Sequence, residues 1–153
     1  MLQAQQTAPT FTTITQDQHK IDLNDYIGKH QIVLYFYPKD DTPGCTIEAN
    51  DFTALINQFT AANTKVFGVS RDNCASHQAF IDKFGLKIDL LADTDGSLCE
   101  SYGVWQQKEK NGETYMGIVR STFVIDLDGR LSYVEYGVNP EGHAQKILQL
   151  VEA

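Results

Sequence analysis

Ile32-Val33-Leu34-Tyr35-Phe36-Tyr37-Pro38-Lys39-Asp40-Asp41-Thr42-Pro43-Gly44-Cys45-Thr46-Ile47-Glu48 is the stretch on which the reading of this chain turns. Its first six residues are the most apolar run in the sequence and lack the alternation of a half-exposed strand. A continuous Val/Leu/aromatic run over residues 31–37 predicts a strand buried on both faces, as in a parallel sheet. A tight loop and a helix should follow. Thr42 suits the N-cap, where its hydroxyl can accept from backbone N–H groups two or three residues on. Pro43 then falls at the first helical position, where its missing N–H costs nothing. Gly44 lets the backbone come close, and Cys45 lands in the first turn. A thiol there feels the helix dipole and free N–H groups, both of which favour the thiolate. Most free cysteines are simply small buried apolar residues, but no core position needs a cap, a proline and a glycine ahead of it. The stretch therefore predicts a nucleophilic cysteine on a strand–loop–helix unit.

Outward from this unit, strands alternate with helices. Phe11-Thr12-Thr13-Ile14 and His19-Lys20-Ile21-Asp22-Leu23 flank a polar turn and predict a short hairpin. Asn24 to Lys29 predicts one helical turn ended by Gly28. Phe52, Leu55, Ile56 and Phe59 recur at helical spacing, so one helix is expected from 45 to about 61. Thr64 to Ser70 reads as the next strand. Asp72 or Asn73 can cap a helix carrying Phe80, Ile81 and Phe84 and closed by Gly85. Ile88 to Leu91 is a short strand, Asp93 to Ser97 a turn, and Leu98 to Tyr102 a short helix. Residues 108–113 are expected to form an exposed loop whose Asn111-Gly112 suits a tight turn, with Tyr102 and Trp105 packed around a loop. Ser121 to Leu127 and Arg130 to Tyr136 read as strands joined by Asp128-Gly129. A last helix from near Pro140-Glu141 shows Ala144, Ile147, Leu148 and Val151 on one face. This order predicts one α/β domain over residues 1–153, with a mixed central sheet, flanking helices and an N-terminal hairpin extension.

Composition narrows the function classes. Twelve Lys and Arg against twenty Asp and Glu give a net charge of −8, which offers no electrostatic reason to bind nucleic acid or an anionic membrane. No apolar run approaches the length of a membrane span. Met1-Leu2-Gln3-Ala4-Gln5-Gln6 has neither a basic start nor an apolar core, so no signal peptide is expected. Three cysteines do not make a disulfide framework; the odd count suggests a reducing cytoplasm.

Pro38-x-x-x-Thr42-x-x-Cys45 resembles the active-site signature of the peroxiredoxins. The fuller Tyr35-Phe36-Tyr37-Pro38-Lys39-x-x-Thr42-Pro43-Gly44-Cys45-Thr46-x-Glu48 is similar to the PrxQ branch, the bacterioferritin comigratory proteins. The likeness continues through Gly68-Val69-Ser70, Leu98-Cys99-Glu100-x-Tyr102-Gly103-Val104-Trp105 and Arg120-x-Thr122-Phe123-Val124-Ile125-Asp126, so it covers nearly the whole chain. It implies a thioredoxin-like fold, which the element order also matches. It further implies a thiol peroxidase that reduces hydrogen peroxide and alkyl hydroperoxides without metal, haem or flavin, recycled by a thioredoxin-like or other thiol donor, and a monomer.

Attack on a peroxide spreads negative charge over sulfur and both oxygens, so preorganised donors are expected around Cys45. Thr42 offers a hydroxyl, and Gly44 and Cys45 offer backbone N–H groups. Of three arginines, Arg130 at a hairpin tip and Arg71 after a strand read as surface residues. Arg120 precedes a strand, and only the resemblance singles it out as the cation at sulfur and peroxide, a task its planar fork suits. The resemblance likewise gives Pro38 the role of shielding the sulfur. Glu48, one turn beyond Cys45, either orients Arg120 or is a helix-surface carboxylate. Many PrxQ proteins carry a second, resolving cysteine five residues after the first; here that place is Asn50. Cys74, at the start of the next helix, is the intramolecular alternative, and an external thiol acting on a one-cysteine enzyme is the other. Cys99, on an apolar helix face, reads as structural. Cys74-x-x-His77 has a spacing metals use but is only a two-ligand fragment. His19, His30 and His143 sit in polar segments and suggest no role. A function of another class stays open: a redox-sensing interaction protein in which Cys45 oxidation switches partner binding.

Overall fold

The computed structural model describes all 153 residues. Its centre is β3 (Gln31–Phe36), the apolar run identified above. β3 pairs in parallel with β4 (Thr64–Ser70) and antiparallel with β8 (Ser121–Ile125). β5 (Asp89–Ala92) extends the sheet in parallel beyond β4, and β9 (Leu131–Tyr136) extends it antiparallel beyond β8, giving the order β5-β4-β3-β8-β9. The predicted N-terminal hairpin is β1 (Thr12–Ile14) with β2 (Lys20–Asp22).

Because side chains alternate along a strand, β3 feeds two cores. Ile32, Leu34 and Phe36 join Leu23, Phe67, Leu98, Tyr102 and Phe123 on one face. Val33, Tyr35 and Tyr37 join Cys45, Phe52, Phe59, Phe80, Ile147 and Leu148 on the other. The second face is covered by α1 (Pro43–Ala54), α2 (Ile56–Ala61), α3 (Cys74–Phe84) and α5 (His143–Glu152). Tyr35 stacks on Phe52 with ring centroids 4.6 Å apart. Each such fully buried aromatic contributes about 1.5–3 kcal/mol by transfer from water, which anchors α1, and with it Cys45, to the sheet. Gly68 is required here, since a Cβ would sit 2.8 Å from Cζ of Tyr35.

Three elements depart from expectation. The single helix over 45–61 is two, broken where Leu55 leaves helical geometry at φ −101°, ψ 5°. The expected loop over 108–113 is the tip of a two-stranded hairpin, β6 (Trp105–Lys110) and β7 (Glu113–Ile118). Its turn is Asn111-Gly112, both at positive φ as a two-residue hairpin demands; the strands are mostly exposed, so no alternation of apolar residues announced them. The last helix starts at His143, later than Pro140. α3 is capped by Asn73, which accepts from Ser76 N–H at 2.8 Å, and ends at left-handed Gly85. The short helix after the Asp93 turn is α4 (Ser97–Ser101). No helix is long and apolar enough to cross a membrane.

Candidate active site

Cys45 is the third residue of α1 and only 1 % exposed. β3 delivers the chain to Tyr37, residues 38–42 turn it, and Pro43 starts the helix. The N–H groups of Gly44 and Cys45 have no hydrogen-bond acceptor, whereas Thr46 N–H reaches Thr42 O at 2.8 Å. Two free donors therefore sit beside the sulfur, as the first turn of a helix provides.

Arg120 enters from the residue before β8. Its Nη2 donates toward Cys45 Sγ at 3.4 Å and its Nη1 donates to Glu48 Oε1 at 2.8 Å. Glu48 is wholly buried and Arg120 nearly so, with side chains 0 % and 15 % exposed. Glu48 is thus no helix-surface carboxylate; it is buried against the guanidinium of Arg120. Burial pushes the Glu48 carboxyl up to about 7, against the opposing pull of Arg120. Burial also opposes the charge on Arg120, but Cys45 and Glu48 outweigh it and hold the guanidinium protonated more firmly than usual. Gly44 is the residue that permits this approach: a Cβ there would lie 3.0 Å from Arg120 Nη2 and 3.4 Å from Pro140 Cγ.

Thr42 occupies the N-cap with extended backbone, but its hydroxyl does not cap the helix. It donates instead to the Lys39 carbonyl at 2.9 Å, because the loop folds back on itself and leaves that carbonyl in reach. The hydroxyl proton is therefore committed, and the oxygen's lone pairs are what Thr42 can present to a ligand. Pro38 is exposed and borders a pocket of about 420 Å³ that Arg71, Trp105, Lys108, Met116 and Ile118 also line. Cys45 does not itself line it. Arg71 stacks over Trp105 at 4.4 Å, in keeping with a surface role, and Arg130 is exposed.

The structure brings Cys45, Glu48 and Arg120 together, and all three cysteines are free thiols. Cys74 opens α3, half-buried, with Sγ donating to the Thr15 carbonyl at 3.3 Å. Cys99 is fully buried on α4, as expected of a structural thiol. Cys74 and His77 do not converge: His77 is buried against Asp40 and the Leu91 carbonyl. Asp40, Asp72 and His77 alone bring three metal-ligating atoms within 4.8 Å of one another, and those atoms are already engaged in hydrogen bonds. His143, which in the sequence sits in a polar segment and suggests no role, has a defined place in the fold. It is buried, its Nε2 lies 2.8 Å from Thr122 Oγ1, and burial lowers it to about 4, so it is neutral. Its partner is 21 positions away in sequence, which no local pattern reveals.

Comparison with known proteins finds relatives along most of the chain. The AhpC/TSA family model matches residues 4–134. The chain is 45 % identical over 148 residues, 97 % of each chain, to a protein of Helicobacter pylori strain J99 named putative peroxiredoxin bcp. It superposes on a variant of PrxQ from Xylella fastidiosa with a TM-score of 0.93 and 33 % identity, covering 99 % of this chain and 96 % of the other. A further match is the bacterioferritin comigratory protein of Xanthomonas campestris, whose structures address its alkyl peroxide reduction activity, with a TM-score of 0.91, 36 % identity and 98 % of each chain covered.

Proposed function

We propose, for a chain that belongs to the AhpC/TSA family and is a thiol-dependent peroxidase of the Bcp/PrxQ kind with a thioredoxin-like fold, that Cys45 is the thiol that attacks the peroxide. The observation that carries this reading is the guanidinium of Arg120 set 3.4 Å from Cys45 Sγ and locked from behind by Glu48. The thiolate forms an S–O bond to one peroxide oxygen as the O–O bond breaks. The departing oxygen takes up a proton and leaves as water or alcohol, and sulfur is left as a sulfenic acid. Arg120 and the N–H groups of Gly44 and Cys45 meet the negative charge that spreads over sulfur and oxygen, in a site where water is largely excluded. Thr42 accepts from the peroxide O–H and so orients it, while Pro38 walls the entrance. Hydrogen peroxide and alkyl hydroperoxides are the substrate class.

A thiol reductant supplies the two electrons that restore Cys45. Condensation of its thiol with the sulfenic acid releases water and forms a disulfide, which a second thiol cleaves. Two routes lead there: Cys74 condenses first, which requires the helical turns bearing both cysteines to open, or an external thiol condenses directly. A thioredoxin-like donor fits either. The net charge of −8 supports a chain that works without nucleic acid or membrane partners, and the reading includes a monomer in the cytoplasm. Peroxide consumption under a thioredoxin-type reducing system tests the enzyme against the redox-sensor alternative. Steady turnover over many equivalents is expected; one equivalent consumed, with a change in partner binding, would favour the sensor.

A further inference from the structure

Behind the loop that leads to Cys45 lies a buried polar cluster that this chemistry leaves idle. The side chains of His77 and Asp40 are 0 % and 4 % exposed. His77 Nε2 lies 2.9 Å from the Leu91 carbonyl oxygen, and Nδ1 lies 2.7 Å from Asp40 Oδ2. A carbonyl only accepts, so Nε2 carries a proton. Asp40 already accepts from two hydroxyls: Tyr37 donates to Oδ1 at 2.6 Å and Ser76 donates to Oδ2 at 2.8 Å. Burial, and then the charge of Asp40, hold the Tyr37 phenol protonated well above its ordinary range. A further proton must lie between Nδ1 and Oδ2, since two lone pairs would repel at that distance. His77 and Asp40 therefore share one proton between Nδ1 and Oδ2, while His77 Nε2–H donates to the Leu91 carbonyl.

The pair sits where the loop is tied down. Asp40 N–H donates to Asp72 Oδ2 at 2.9 Å, and Asp41, left-handed at φ 59°, forms an exposed ion pair with Lys83 at 2.8 Å. These ties run to α3 or the turn before it, and Asp40–His77 is the one wholly out of water. We propose that His77 is a positioning residue: hydrogen-bonded to Asp40 on one side and to Leu91 on the other, it clamps Asp40, fixes the loop of residues 38–41 against α3 and β5, and so sets Thr42 and Cys45 in place for attack. The inference rests on Cys45 being the reacting thiol, but its first test does not.

Nitrogen-15 NMR of the wild-type protein at neutral pH should show His77 Nε2 protonated and Nδ1 sharing a hydrogen-bonded proton with Asp40; an Nδ1 without that hydrogen bond would overturn the proposal. The second test compares His77→Gln, which keeps a donor for Leu91 but none for Asp40, with His77→Asn, which keeps one for Asp40. The Gln variant should react with hydrogen peroxide about tenfold to a hundredfold more slowly, as small misplacements at a reacting centre do. Its Cys45 should become more accessible to a bulky maleimide. The Asn variant should recover most of both properties. Leu131→Ala, in the core on the opposite sheet face, supplies a control of comparable stability loss and should change neither. Equal behaviour of Gln and Asn, or the same changes in Leu131→Ala, would overturn the positioning role. Should the Gln variant not fold, Asp40→Asn carries the same expectation. If Cys45→Ser kept peroxidase activity, the reading of Cys45 would fail while the NMR result on His77 stood.

Discussion

Cys45 and Cys99 share a position and differ in surroundings. Each is the third residue of its helix, α1 or α4, and they are 1 % and 0 % exposed. At Cys99 the turn's donors are taken: Asp93 accepts from Leu98 N–H at 3.0 Å and from Cys99 N–H at 2.8 Å. Burial, then the hydrogen bond and charge of Asp93, push that thiol far above its ordinary range. At Cys45 the corresponding N–H groups are free, and the nearest charge is a guanidinium. A buried carboxylate stands near each sulfur, but at Cys45 Arg120 is interposed between sulfur and Glu48. A helix N-terminus therefore does not make a thiol reactive by itself. The partner that uses the free donors, and the sign of the nearest charge, decide the outcome.

The largest expected effect separates the two cysteines outright. Cys45→Ser should abolish peroxidase turnover, because a serine hydroxyl at its normal acidity cannot replace a thiolate. Cys99→Ser should leave steady-state rates close to wild type. A Cys45 variant with wild-type turnover would erase the contrast.

Removing the guanidinium should make Cys45 more like Cys99. Arg120→Ala is expected to slow the single-turnover reaction with peroxide by about a hundredfold or more, by analogy with loss of one oxyanion donor. Arg71→Ala and Arg130→Ala should not, and equal losses across the three would point to general destabilisation. Gly44→Ala should give a smaller loss of the same kind, since its Cβ would stand 3.0 Å from Arg120 Nη2.

The smallest effect concerns the carboxylate behind Arg120 and is read as stability against pH. Glu48 holds its proton to about 7 in the fold against a reference of 4.5. Folding thus favours the protonated form, so this contribution is full below about 4.5 and is lost as pH rises to 7. His143 runs the other way: held near 4 from 6.5 by burial, it contributes above 6.5 and loses that contribution as pH falls. Between these limits the two slopes oppose each other. Glu48→Gln removes one of them, so urea unfolding at pH 5 and pH 7 should show the variant losing about 2–3 kcal/mol more on acidification than the wild type. Identical pH dependence in both proteins would contradict the buried, proton-holding Glu48.

Much of this contrast was legible in the sequence. The apolar run at 32–37, Thr42-Pro43-Gly44 and the Asp128-Gly129 hairpin each carry their signal within a few residues, and they placed the central strand, the helix start and the sheet's second half. Cys99 could be set aside from its apolar neighbours Leu98 and Tyr102. What stayed hidden depends on partners far along the chain. The Thr42 hydroxyl turns to a carbonyl that only the folded loop presents, and Glu48 is buried because β8 brings Arg120 over it. His77 and His143 lie in polar segments and become informative only beside Asp40 and Thr122. The β6–β7 hairpin carries no such signal, because two exposed polar strands have no core face to pattern.

Oxidation with one equivalent of hydrogen peroxide, followed by non-reducing peptide mapping of all three cysteines, tests the central claim most directly. Oxygen or a disulfide bond should appear at Cys45 in every oxidised molecule, with Cys99 still a thiol. A Cys45–Cys74 linked peptide would assign resolution to Cys74, and a Cys45 sulfenic acid with Cys74 free would assign it to an external thiol. Oxidation at Cys99 or Cys74 with Cys45 left reduced would contradict the account.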